Sequence, residues 1–142
     1  MKPFLGLALC SLLLAGCGTL RGGYNLADCG VGHFFGLHVE LKGNDLVATD
    51  MQIGPHRQVH ARTPVTFSLK KHEGKQFVFV SEDIGTLSVT ADGSKLEGTL
   101  ESADDHSVDT IHGQAGPLSK LQEYSNSQYA ACPASHEGPS VQ

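Results

Sequence analysis

Eight histidines in a chain of 142 residues are the first feature with chemical potential, because imidazole binds metals and moves protons near neutral pH. His56 and His60 lie four positions apart. His106 and His112 share the parity of an extended segment, with Val108 and Thr110 between them and Asp104-Asp105 just before. Zinc or copper would accept such histidines and aspartates if neighbouring strands brought them together. Their spacing argues against it, since same-face residues four apart on a strand stand about 13 Å apart. His33 and His38 have opposite parity and make no pair. His56, His60, His106 and His112 are therefore read as polar residues on strand exteriors, with no metal and no cofactor expected.

Other chemistry is thinly represented. The chain lacks Gly-x-Ser-x-Gly, His-Glu-x-x-His and any glycine loop of the phosphate-binding kind. Glu82-Asp83 and Asp104-Asp105 are adjacent carboxylates in turn-like surroundings, a pattern that usually means solvation. A non-catalytic protein is expected. The formal net charge of −5 disfavours nucleic acid as a partner. Against that acidic background, Lys70, Lys71 and Lys75 form a basic hairpin tip with His72. Such a tip could meet an acidic partner or a lipid headgroup, or simply discourage edge-to-edge aggregation. Phe77 and Phe79, just beyond it, are with Phe67 and Leu69 the most apolar positions. They are expected in the core, lining a pocket if one end of the domain is open.

The cysteines divide by position. An apolar run from Phe4 to Ala15 follows Met1-Lys2-Pro3, and Leu14-Ala15-Gly16-Cys17 ends it. A short basic start, an apolar stretch too short to span a bilayer comfortably and small residues before a cut site describe a secretory signal. The order Leu-Ala-Gly-Cys resembles the lipobox of bacterial lipoproteins. That resemblance, confined to residues 1–17, implies cleavage before Cys17, acylation of Cys17 and attachment to a lipid bilayer. Gly18 in place of aspartate resembles the outer-membrane class, which implies an outer-membrane protein facing the periplasm. Cys10 leaves with the signal. Cys29 and Cys132 remain as an even pair in an oxidising compartment, where a disulfide is expected. The bridge would close nearly the whole domain, a loop of a size worth on the order of 4–5 kcal/mol.

The elements between those cysteines must position everything else. Leu37–Leu41 alternates apolar and polar, Gly43-Asn44 offers a reversal, and Leu46–Ile53 follows. Gly54-Pro55 breaks the chain before a weaker strand, Arg57–Arg62. After Thr63-Pro64, residues Val65, Phe67 and Leu69 share one face, and Gln76–Ser81 is apolar on both faces. Gly85–Thr90, the Asp92-Gly93 pair, Lys95–Glu101 and Ser107–Gln114 complete the series. Asp-Gly favours a type I′ hairpin turn. About eight closely spaced meander strands predict an all-β fold, a small antiparallel β-barrel or sandwich. Leu118, Leu121 and Tyr124 recur at near-helical spacing after Gly116-Pro117, so one short C-terminal helix is expected over Pro117 to about Tyr129. The expected organisation is a signal peptide (1–16), a lipidated cysteine with a flexible tether (17–28), one β-rich domain (29–132) and a disordered tail (133–142).

Two functional readings follow. The first is a non-catalytic outer-membrane lipoprotein that binds a small apolar or amphipathic ligand in an open barrel. The second is a protein-interaction module, an envelope-assembly subunit or hydrolase inhibitor, with a filled barrel. The absence of tryptophan among six phenylalanines and three tyrosines makes a narrow, filled interior a close rival. A metal-binding or enzymatic lipoprotein ranks last.

Overall fold

In the computed structural model, which describes residues 20–28, 36–54 and 56–131, eight antiparallel strands close into a barrel in sequential order. They are β1 (Gly23–Asp28), β2 (Gly36–Lys42), β3 (Asp45–Ile53), β4 (Arg57–Glu73), β5 (Gln76–Ser81), β6 (Gly85–Asp92), β7 (Lys95–Ser102) and β8 (Val108–Ala115). A single 3₁₀ turn (Leu118–Lys120) leads into helix α1 (Leu121–Ala131). β1 pairs with both β2 and β8 and so shuts the barrel. Closure removes the exposed edges that an open sheet of short strands would carry.

Three sequence-based expectations change here. Gly23–Asp28, read as tether, is the closing strand, with Tyr24 and Leu26 buried. Its glycines masked a short alternation that becomes stable only between two partners. Arg57–Arg62 and the strand beginning at Val65 are one continuous strand, β4, that runs through Thr63-Pro64. Proline is tolerated because the ladder is interrupted there: on β3, Ala48 pairs with Val65 and Asp50 with His60, so residues 61–64 sit outside the regular register. The strand count of eight thus combines one strand missed with one strand divided. The Asp92-Gly93 hairpin forms, but only Gly93 has positive φ (64°). The turn therefore is not type I′, which needs two such residues.

Among the described residues, large apolar side chains occupy the interior. Leu26, Val39, Leu46, Phe67, Phe79, Leu87, Leu96, Leu100 and Ile111 are essentially inaccessible. Gly113 makes room among them, since a Cβ there would lie 2.6 Å from Leu26 Cδ2. A second buried layer lies outside the barrel wall, where α1 covers β1 and β2. Leu121 and Ser125 of the helix are fully buried, and Ser125 and the Gln52 side chain both pack against Gly36. The bulge at Thr49 reverses the parity of β3, so Asp50 and Gln52 face outward although Leu46 and Ala48 face inward.

Beneath the start of the helix runs a polar chain. Asn25 Nδ2 donates to the Pro117 carbonyl at 3.0 Å, which orients its amide so that Oδ1 accepts from His38 Nδ1–H at 2.7 Å. His38 Nε2 stands 3.2 Å from Glu40 Oε2 and forms an ion pair when the ring carries both protons.

Candidate functional site

The barrel has two dissimilar ends. The N-terminal rim carries the start of β1 and the turns at 43–44, 74–75 and 93–94. The far rim carries the end of β1 and the β3–β4, β5–β6 and β7–β8 connections. An apolar cleft of about 170 Å³ opens at the N-terminal rim, lined by Leu20, Leu41, Leu69, His72, Phe77 and Phe79, with Gly43 and Asn44 at its lip.

Local sequence builds this cleft. Phe77 and Phe79 alternate inward on β5, with ring centroids 6.2 Å apart. On the opposing strand, Leu69 pairs with Phe79 but Lys71 pairs with Val78, so Lys70 is the extra residue of a bulge. The bulge turns His72 onto the inner face, where its ring stacks on Phe77 at 4.0 Å. The His72 Nε2–H donates to the Gly74 carbonyl across 2.9 Å, which holds the ring over the cleft. Leu20 enters from the chain's N-terminal side. The segment behind it is tied down by the Leu41 N–H, which donates to the Gly22 carbonyl at 2.8 Å, and by the Arg21 N–H, which donates to Tyr24 Oη at 3.1 Å.

The residues singled out from the sequence separate accordingly. Phe77 and Phe79 are buried and line the cleft, while Lys71 and Lys75 lie at or beside the 74–75 turn at the same end of the barrel without lining the cleft. Lys70 does not join them: it lies on the outer wall, near Pro64, Ser68 and Glu82. Lys71 pairs with Glu73 at 3.5 Å and Lys75 with Asp92 at 3.8 Å. Leu69, expected with Phe77 and Phe79, joins them in the cleft, and His72, expected only as part of the basic tip, stands over it, whereas Leu20 and Leu41 were not singled out. Parity gave a signal for Leu41 and Leu69, but the bulge that brings in His72 has none in the sequence.

The four histidines considered for metal binding occupy separate places. His56 sits exposed in the β3–β4 turn. Nδ1 of His60 lies 3.0 Å from Asp50 Oδ1, and His112 Nδ1 lies 3.6 Å from Glu97 Oε2 on the neighbouring strand. His106 precedes β8 in the left-handed region (φ 60°), so it has no strand parity to share with His112; its Nδ1 is 3.2 Å from Glu101 Oε2. No group of three or more metal-ligating side chains occurs among the described residues. Burial works to raise the Asp50 carboxyl, but hydrogen bonds from His60, Gln58 and Thr49 outweigh it and hold Asp50 below the usual aspartate range. Cys17, Cys29 and Cys132 lie outside the described residues, as does the tail 133–142. Among the described residues no helix is long and apolar enough to cross a membrane.

Compared with protein-family models, curated proteins and solved structures, the chain matches none.

Proposed function

We propose that this chain is a lipid-anchored, non-catalytic protein-interaction module of the bacterial envelope, held at Cys17 in the outer membrane and facing the periplasm. The observation that carries the choice between ligand carrier and interaction module is the filled interior. Ligand pockets usually measure about 300–1,000 Å³; the cleft that opens onto the apolar interior at the N-terminal rim offers about 170 Å³, and the larger hollows, of about 340, 640 and 500 Å³, are lined mainly by residues on the outside of the barrel. The cleft suits the end of one apolar group, which keeps a small amphipathic ligand at the rim as the second reading.

The far rim supplies the contact surface in this proposal. Ile53 at the end of β3 and Val108 at the start of β8 are exposed by 44% and 60%, and both belong to that end. A Cys29–Cys132 disulfide fits the same picture. β1 and α1 pack together, and both run toward the far rim before the chain reaches each cysteine.

Native mass spectrometry of the protein purified from membranes tests the choice. A mass accounted for by the acylated chain alone is expected. A retained species of a few hundred daltons would overturn the interaction reading in favour of the carrier. In cells, cross-linking is expected to yield a discrete heteromeric adduct that Val108→Glu abolishes without lowering the unfolding temperature.

A further inference from the structure

The two rims differ in charge as well as shape. Arg21, Lys42, Lys71, Lys75 and Lys95 belong to the N-terminal rim, where Glu40, Asp45, Glu73 and Asp92 roughly balance them. At the far rim, Glu82, Asp83, Asp104 and Asp105 occupy the turns, with Arg57 at the start of β4. The barrel therefore carries a charge dipole along its axis, acidic at the end away from the chain's N-terminus. The ion pairs at the N-terminal rim are long and exposed: 3.9 Å for Lys42–Glu40, 3.5 Å for Lys71–Glu73 and 3.8 Å for Lys75–Asp92. Such pairs are weak, so their lysines can exchange partners for phosphates at little cost.

Chain geometry places this rim beside the anchor. Leu20 is seated in the cleft and is only 8% exposed, and Cys17 lies three residues before it. Three residues reach at most about 10 Å, close to the Debye length of roughly 8 Å at physiological ionic strength. An acyl anchor at Cys17 would hold the N-terminal rim within the field of the lipid surface.

We propose that the N-terminal rim rests on an anionic phospholipid surface, with Lys71, Lys75 and Lys95 at the headgroup phosphates and the apolar cleft open toward the bilayer. An anionic surface repels the acidic far rim and accepts the near-neutral one, so the difference between the ends orients the barrel. The far rim then points away from the membrane, toward a partner. The closeness of the rim to the bilayer rests on the lipid-anchor reading, whereas the charge and the cleft do not.

The test uses the full chain purified from membranes and reconstituted into vesicles of phosphatidylcholine alone, or of phosphatidylcholine mixed with phosphatidylglycerol. Amine-reactive and carboxyl-reactive labelling is then read residue by residue by mass spectrometry. Labelling of Lys71, Lys75 and Lys95 is expected to slow roughly five-fold in the anionic vesicles, the factor one lysine contributes at an anionic surface. High salt should restore it, while Lys70, Asp104 and Asp105 label alike in both vesicle types. Lys71→Glu combined with Lys95→Glu, both exposed changes, should abolish the lipid dependence without altering the unfolding temperature.

Equal labelling in both vesicle types would overturn the proposal, and so would protection at Asp104 and Asp105. Protection in native membranes but not in pure lipid would overturn it in favour of a protein partner. The intact mass separately reports whether Cys17 is acylated. If it is not, the anchor reading fails, and the same labelling with preformed vesicles still decides the rim.

Discussion

Ser125 and Gly36 show how finely the layer beneath the helix is fitted. Ser125 Oγ is buried without a hydrogen bond, and Gln52 Oε1 shares that state. An unsatisfied buried hydroxyl is costly, so Ser125→Ala is expected to raise stability by about 1 kcal/mol in denaturant unfolding. Gly36→Ala should act oppositely, because its Cβ would run into the Ser125 side chain. Overpacking of this kind costs about 1–3 kcal/mol, and pairing Gly36→Ala with Ser125→Gly should recover part of the loss. Asp50 adds a pH dependence at the same scale. Its folded carboxyl titrates below the ordinary aspartate value of 3.8, so the unfolded chain binds its proton first as pH falls. Its stabilisation is present above pH 3.8 and is lost as pH falls through the folded value. Asp50→Asn should flatten the stability–pH curve in that acid window, as read by thermal unfolding.

At the scale of elements, the helix and the bulges decide what the strands present. Burial first, and then the charge of Glu97, push the Tyr124 hydroxyl on α1 up to about 12 from an ordinary 10.0. The folded state thus holds that proton more tightly. Its contribution is complete below pH 10 and is lost as pH rises toward 12. Tyr124→Phe is expected to weaken the alkaline loss of stability, and ultraviolet titration should show one tyrosine ionising late. Strands were legible in the sequence where one face met the core, as in Lys95–Glu101, and also on β2, where the outer residues His38 and Glu40 are polar although α1 buries His38. β1 was not. Its alternation is only two apolar residues long, Tyr24 and Leu26, and follows a glycine-rich stretch, and its outer residues Asn25 and Ala27 are buried by α1 rather than exposed. The bulge at Lys70 was equally silent, since any residue type can be the extra one. It separates Lys70 from Lys71 and brings His72 over Phe77.

For the whole molecule, the proposed Cys29–Cys132 bridge would tie the end of the closing strand to the end of the helix that covers it. Cys29→Ser is expected to lower stability by about 2–5 kcal/mol. Reductant should impose the same loss on the parent protein and none on the variant. If reductant leaves the parent unchanged, the two cysteines are not bridged.

From the sequence alone came the all-β class, most strand positions, the C-terminal helix and the expectation of a lipid anchor. Those features follow from local periodicity, turn residues and a short linear motif, which need no knowledge of distant neighbours. Closure of the barrel by β1, the filling of its interior and the burial of Asn25, His38 and Gln52 required the tertiary structure. So did the separation of a near-neutral rim from an acidic one. Each depends on residues far apart in sequence meeting in one place. Bulges at Thr49 and Lys70 set which face each side chain takes, and turn order sets which charges share an end.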